Sequence, residues 1–230
     1  GHAMRCLALA QALKDNGDDA IFAACSFVER MKEKFHAEGF RVHMINKKRG
    51  TEADASKLTN MTKEIGPSWI ITDGYVFSEE YQRRIKEKGL RLLCIDDLAS
   101  SKFIADIVLN QNPGFTANNY FLNQDSRLLL GTQYVLLRRE FRIAKPKRLG
   151  RQLRNVLVTM GGSDPFNFTG KILEALSDLR GVKITVLLGP ANRSIEVLKK
   201  RFGTYSKIVV DVEKIASYMQ KADLTIHAAG

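Results

Sequence analysis

The residues suited to chemistry concentrate at a few turns. The first is Gly1-His2, directly ahead of a small-apolar helical stretch that carries Arg5. A histidine there sits at a helix N-terminus, where free backbone N–H groups and the dipole favour anions. A neutral imidazole at the mouth of a cleft is suited to general-base work. Taken alone, a histidine this close to a chain end is more often simply solvated. The second is MGGSDP at residues 160–165, after an apolar run. Gly161 and Gly162 allow close backbone approach, and their N–H groups can form an anion-binding nest ahead of a helix. Ser163 and Asp164 are natural helix caps and Pro165 suits a first turn, so a capped turn without a ligand competes with the nest. Asp164 reads as a cap rather than a phosphate contact, because like charges repel. The stretch is neither a Walker A loop nor GxGxxG.

The third is Thr72-Asp73-Gly74-Tyr75, again at the end of an apolar run. Loops at the carboxyl ends of parallel strands line the ligand crevice of an α/β sheet, so Asp73 and Tyr75 are expected to face it. Asp96-Asp97 follows the next run in the same position. Paired carboxylates suit Mg²⁺, but a capped turn suits the pair better. The fourth comprises Gly189 in LGPAN (residues 188–192) and the closing ADLTIHAAG (residues 222–230), with His227 and Gly230. Each ends a strand, and small residues there permit close approach.

Those turns need a scaffold, and the apolar pattern supplies one. The spacing predicts helices over 4–14, 27–37, 53–65, 78–88, 169–179, 194–202 and 215–220. Apolar runs predict strands over 20–25, 41–45, 69–72, 92–95, 107–109, 128–130, 155–160, 183–188, 207–210 and 224–227. Strict β-α alternation predicts a parallel sheet with helices on both faces. The strands are continuous apolar runs, as burial on both faces requires. The rhythm loosens over 99–141, a stretch rich in Asn, and restarts after a basic connection. The expected organisation is a Rossmann-like domain over 1–143, a basic linker over 144–152 and a second, partial Rossmann-like domain over 153–230.

Composition narrows the classes. The chain has 230 residues, 44% apolar and 27% charged, which excludes a disordered, coiled-coil or collagen-like chain. No apolar run approaches the roughly 18 residues of a membrane span. The 36 Lys and Arg against 25 Asp and Glu give a net charge of +11. The densest basic stretch is Arg138, Arg139, Arg142, Lys145, Lys147, Arg148, Arg151 and Arg154, with Glu140 as its single acid. Nucleic acid is one possible partner, but aromatic stacking platforms are not interleaved with these cations. A solvated connection between domains, or a field that attracts a small anionic substrate, fits better. The 3 cysteines are widely spaced in apolar runs and the 4 histidines are scattered, so neither a disulfide framework nor a zinc site is expected. This usage suits a reducing compartment, the cytoplasm. The chain opens without Met and stops directly after an apolar run, so it reads as a fragment cut at both ends.

In this order, the motifs resemble the UDP-2,4-diacetamido-2,4,6-trideoxy-β-L-altropyranose hydrolases of pseudaminic-acid biosynthesis and the related spore-coat polysaccharide proteins. That family is similar to MurG-type GT-B glycosyltransferases. The matching residues are Gly1, His2 and Arg5; Asp73 and Tyr75; Asp96-Asp97; VLLRREF at 135–141; MGGSDPFN at 160–167; and the ADLTIHAAG ending. The resemblance implies an α/β, GT-B-like fold of two Rossmann-type parallel-sheet domains in tandem. The second domain would be incomplete, and the first would lack its opening strand. It implies hydrolysis of a UDP-linked sugar by water attack at the anomeric carbon with inversion. His2 would be the general base, and Asp73 and Tyr75 would position sugar and water. Gly161, Gly162 and Ser163 would hold the diphosphate. Gly1, Arg5, Asn167, Gly189, His227 and Gly230 would complete the substrate and UDP contacts. No metal or cofactor is implied, and the expected partner is a small nucleotide-sugar rather than nucleic acid or membrane. A GT-B glycosyltransferase using a UDP-sugar donor is the alternative, and a basic nucleic-acid-binding protein is a weaker one.

Overall fold

The computed structural model describes residues 1–145 and 150–228. The chain divides into two compact units, Gly1–Arg139 and Glu140–Gly230. The first contains α1 (His2–Asp15), β1 (Ile21–Ala24), α2 (Glu29–Ala37), β2 (Arg41–Met44), α3 (Glu52–Ile65), β3 (Trp69–Asp73) and α4 (Glu79–Lys86). It continues through β4 (Arg91–Ile95), β5 (Lys102–Phe103), β6 (Ile107–Asn110), β7 (Phe121–Leu122) and β8 (Arg127–Leu130). The short α5 (Arg139–Arg142) straddles the division. The second unit contains β9 (Asn155–Thr159), α6 (Phe168–Ala175), β10 (Lys183–Leu188), α7 (Ile195–Phe202), β11 (Ser206–Val210), α8 (Ile215–Lys221) and β12 (Leu224–His227).

Local chemistry explains several boundaries. Thr51 caps α3 by accepting from the Asp54 N–H. Gly66 ends that helix in the left-handed conformation (φ 63°) that side chains avoid, and Pro67 follows it. Ser78 caps α4 through the Tyr81 N–H. The predicted helix over 169–179 is shorter, because α6 stops at Ala175 and Leu176 caps it. Ser177 and Asp178 lie beyond that cap, and such side chains compete with helical backbone bonds.

Among the described residues every strand pairing is parallel. In the second unit the order is β11-β10-β9-β12. Its core packs Val156, Val158, Ile184, Val186 and Leu188 against Leu173 of α6 and Leu198 and Phe202 of α7. The first unit is not the single sheet expected. It has a four-stranded sheet, β3-β4-β6-β8, and separate pairs β1-β2 and β5-β7. No described strand pairs with the free edges of β1 and β3. The cores divide likewise. Leu7 and Ala10 of α1 pack with Phe35 and Phe40 around the β1-β2 pair. Ile70, Tyr81, Ile85, Leu92 and Val108 form the core of the larger sheet. β1 and β2 have no fully buried residue, contrary to the expectation of burial on both faces.

Part of the basic stretch is structural. The Arg139 guanidinium donates to Asp15 at 2.7 Å and Glu38 at 3.1 Å, and its backbone N–H donates to the buried Gln11. Lys147 and Arg148 lie outside the described residues. No described helix is long and apolar enough to cross a membrane.

Asp106 ties α4 to β4. Its carboxylate accepts from Lys86 Nζ at 2.6 Å and from the Leu92 N–H at 2.7 Å. Burial raises its pKa, but the Lys86 and Leu92 donors outweigh burial and leave it below the ordinary carboxylate value. A depressed folded-state pKa stabilises above the unfolded value, and this stabilisation is lost as pH falls through the folded one. Asp106→Asn is therefore expected to cost about 1 kcal/mol at pH 7 and less near pH 3. Thermal melts of both proteins at the two pH values check this.

Candidate active site

Helical spacing puts His2, Arg5 and Cys6 on one side of α1, at i, i+3 and i+4. The helix opens on Gly1, whose carbonyl accepts from the Met4 and Arg5 N–H groups. Asp73 ends β3, and its carboxylate is almost wholly buried, at 2% exposure. Its Oδ1 is 2.7 Å from His2 Nδ1 and accepts from Arg5 Nη2 at 2.6 Å. Its Oδ2 accepts from Arg5 Nε at 2.7 Å and from the Cys6 thiol at 3.4 Å. The Arg5–Asp73 pair is bidentate, the strongest geometry open to those two groups.

Arg5 also donates from Nη1 to Asp97 Oδ2 at 2.9 Å. The same oxygen accepts from the Tyr75 hydroxyl at 3.2 Å. The Tyr75 ring in turn stands edge-on to His2, with centroids 4.9 Å apart. Five side chains thus close a ring: His2, Asp73, Arg5, Asp97, Tyr75 and back to His2. Burial works against the Arg5 charge, but Asp73 and Asp97 more than offset it and raise its pKa. Burial pushes the Cys6 thiol up, and the Asp73 charge adds to this, so Cys6 is a neutral donor. The hydrogen bond to Asp97, followed by burial, raises the Tyr75 pKa.

The ring fixes what His2 can do. Nδ1 faces both the Asp73 carboxylate oxygen at 2.7 Å and Arg5 Nη2 at 3.2 Å. The shorter contact, to an acceptor-only oxygen, suits a proton on Nδ1, and in a neutral ring that puts the lone pair on Nε2. The His2 side chain is 37% exposed, so water can reach it. Asp73 does not face a crevice as the sequence reading has it. Its carboxylate is taken up by His2, Arg5 and Cys6, because a carboxylate so buried must be paired. Arg5 is likewise committed to two carboxylates rather than free for a ligand. Asp96 and Asp97, adjacent in sequence, part company. Asp96 Oδ2 accepts from the Leu98 and Ala99 N–H groups and the Tyr120 hydroxyl, which makes it the capped turn. Among the described residues no group of three or more His, Cys, Asp or Glu is arranged to hold a metal ion.

The loop that carries Tyr75 is buttressed from outside the ring. Gly50, at φ 76°, lies so close to Val76 that a Cβ there would be 2.5 Å from the Val76 carbonyl oxygen. The buried Asp54 holds the Gly50 N–H at 2.7 Å.

In the second unit, Gly161, Gly162 and Ser163 are exposed at the carboxyl end of β9, with Gly161 at φ 79°. Gly189 follows β10, and a Cβ on it would be 2.2 Å from the Gly162 carbonyl oxygen. His227 ends β12 in register with Thr159 and is exposed. These residues therefore share one edge of the sheet, the carboxyl end that binds ligands in parallel folds. Asp164 is turned to the start of α6, accepting from the Phe168 and Thr169 N–H groups at 2.9 Å. The N-cap is Asn167, whose side chain accepts from the Gly170 N–H, so it is turned to the helix. Pro165 lies before the helix rather than in its first turn. Gly230 lies outside the described residues. A hollow of about 500 Å³ bounded by Gln152, Arg154, Asn155 and Lys183 lies at the opposite, amino end of β9 and β10, away from all these residues.

No family model matches the chain. An uncharacterized protein of Methanocaldococcus jannaschii is 33% identical over 245 aligned positions, covering 100% of this chain and 49% of that protein. The spore coat polysaccharide biosynthesis protein SpsG of Bacillus subtilis is 27% identical over 132 residues, 55% of this chain and 39% of SpsG. The chain thus spans about half the length, or less, of the curated relatives it matches. Among solved structures, Acinetobacter baumannii MurG superposes with a TM-score of 0.62 at 16% identity, over 99% of this chain and 69% of MurG. S. aureus MnaA with UDP gives 0.57 at 8% identity, over 100% of this chain and 72% of MnaA. Anabaena HepE in complex with UDP-glucose gives 0.59 at 11%, over 98% of this chain and 69% of HepE. The fold is GT-B-like.

The Gly189–Gly162 approach has a testable consequence. Gly189→Ala forces the 160–163 turn outward and is expected to destabilise by roughly 1–3 kcal/mol. Denaturant melts measure the loss, and amide exchange at 161–163 shows whether that turn moves.

Proposed function

We propose that the protein hydrolyses a UDP-linked diacetamido-trideoxy sugar, releasing UDP and the free sugar with inversion, in the assembly of a nonulosonic acid. The observation that carries this reading is the His2–Asp73 contact of 2.7 Å, with the far imidazole nitrogen free at the solvent-facing start of α1. His2 Nε2 takes a proton from water as the water oxygen bonds to the anomeric carbon. The bond from that carbon to the β-phosphate oxygen breaks, and its electron pair leaves with UDP. A single displacement from the face opposite the leaving group inverts the centre. Asp73 holds Nδ1–H and stabilises the imidazolium that forms, the role an orienting carboxylate plays beside a histidine base. Arg5 keeps Asp73 in place, and Tyr75 packs the imidazole from its side.

The turn at Gly161, Gly162 and Ser163 is assigned the diphosphate, which backbone N–H donors at a helix start stabilise as it gains charge. Gly189 lets that turn lie close to the sheet. His227 at the same edge is assigned a nucleotide contact. The likeness to a spore coat polysaccharide biosynthesis protein and to folds solved with UDP or UDP-glucose supports a nucleotide-sugar as substrate. The likeness to MurG equally suits a glycosyltransferase reading, in which an acceptor hydroxyl replaces water.

The test is turnover of the UDP-sugar in ¹⁸O-water without acceptor, followed by NMR and mass spectrometry. Label in the free sugar, the inverted anomer and a loss of roughly 10²–10⁴-fold in kcat for His2→Asn are expected. Sugar transfer only when an acceptor is added would establish the transferase instead.

A further inference from the structure

Asp97 is the least explained member of the ring. Its Oδ2 takes two donors, Arg5 Nη1 at 2.9 Å and the Tyr75 hydroxyl at 3.2 Å. Its Oδ1 is buried and has no hydrogen-bond partner. A carboxylate kept for the stability of its own loop would be satisfied there, as Asp96 next door is by two backbone N–H groups and Tyr120. A buried carboxylate oxygen without a donor is costly, and such a group needs an explanation outside its own turn. Every hydrogen bond the structure gives to Asp97 comes from the histidine's surroundings. Tyr75 is 61% exposed, and Asp97 is its hydrogen-bonding anchor.

We propose that Asp97 is a positioning residue for the hydrolysis: it ties Tyr75 to Arg5, and so holds the Tyr75 ring against the imidazole of His2. Without the carboxylate, Arg5 keeps its bidentate hold on Asp73, but Tyr75 loses its anchor and the imidazole loses its lateral wall. The proposal rests on the hydrolase reading for its effect on rate. The link between Asp97 and Tyr75 does not.

The test uses the whole protein with Asp97→Ala, the isosteric Asp97→Asn, Tyr75→Phe and the double variant Asp97→Ala/Tyr75→Phe. Because Oδ1 has no donor and the rest of the loop is held by Asp96, thermal melts of the single variants should stay within a few degrees of the parent. Asp97→Ala is expected to lower kcat about tenfold with KM changed less than threefold, and Asp97→Asn, which keeps an acceptor, to recover part of it. Double-variant kcat should equal that of the worse single variant. Losses that multiply, or an unchanged kcat in Asp97→Ala, would overturn the proposal.

A second readout needs no turnover. The charged and titratable groups facing Tyr75 are Asp97, Asp73, Arg5 and His2. Of these, Asp97 contributes most to the raised Tyr75 pKa. In Asp97→Ala, ¹³C NMR of labelled tyrosine should show Tyr75 titrating at lower pH than in the parent, and an unmoved titration would sink the link. A moved titration in a protein whose parent releases no sugar would overturn the hydrolase reading while leaving the anchor intact.

Discussion

A single buried charge organises the first unit. The Asp73 carboxylate is 2% exposed at the end of β3. Burying an unpaired carboxylate there would cost several kcal/mol, so the strand end folds only with a cation on it. Arg5 is that cation, and it comes from α1, 68 residues earlier in sequence. The pairing therefore fixes where α1 begins relative to β3, and with it where His2 stands. The imidazole is placed by satisfying Asp73, with the Tyr75 ring as its lateral wall, rather than by burial of His2 itself, which is more than a third exposed. The core under α1 supports this from the other side: Leu7 and Ala10 pack on Phe35 and Phe40, which leaves the His2–Arg5–Cys6 side turned to the strand end.

Charge balance sharpens the point. Two carboxylates share one guanidinium, so the cluster carries about one net negative charge while His2 is neutral. Uptake of a proton by His2 neutralises it. A site built to bind anions would leave its arginine free. This one uses up its arginine internally and is suited to stabilising a cation that forms during reaction. Anion contacts in the second unit rest on different groups, the exposed Gly161, Gly162 and Ser163 of the turn after β9.

Much of the scaffold was legible because apolar runs bounded by glycine have few alternatives. β10 and β12 occupy the predicted residues, and Gly66 ends α3 where the sequence placed a stop. β5 and β7 were not legible, since two residues show no period. The separation of β1-β2 from the larger sheet was hidden too: a parallel run looks the same whether or not a neighbour completes its edge. At the site, His2, Asp73 and Tyr75 were legible from their places at element ends, but the burial of Asp73 was not. Nothing in the Thr-Asp-Gly-Tyr string shows that an arginine from α1 covers the carboxylate. Cys6 was missed because a thiol among Leu and Ala reads as a small apolar side chain. Asp97 was singled out only as one of a pair with Asp96, and its separate place was hidden because adjacent carboxylates look equivalent until one of them is seen to cap the turn.

Glycine does in the second unit what charge does in the first. The exposed turn after β9 can lie flat on the sheet edge only because Gly189, after β10, has no Cβ to strike the Gly162 carbonyl. Asp164 then takes two backbone N–H groups of α6 and is itself 7% exposed, so its charge is turned inward and kept from the turn's outer surface. Had Ser163 been the cap, Asp164 would have been free to point outward and repel an anion. Placing the acid at the buried position leaves Gly161, Gly162 and Ser163 as a surface of backbone and hydroxyl donors without a carboxylate among them. The order of residues in MGGSDP thus turns its one negative charge inward, to the start of α6.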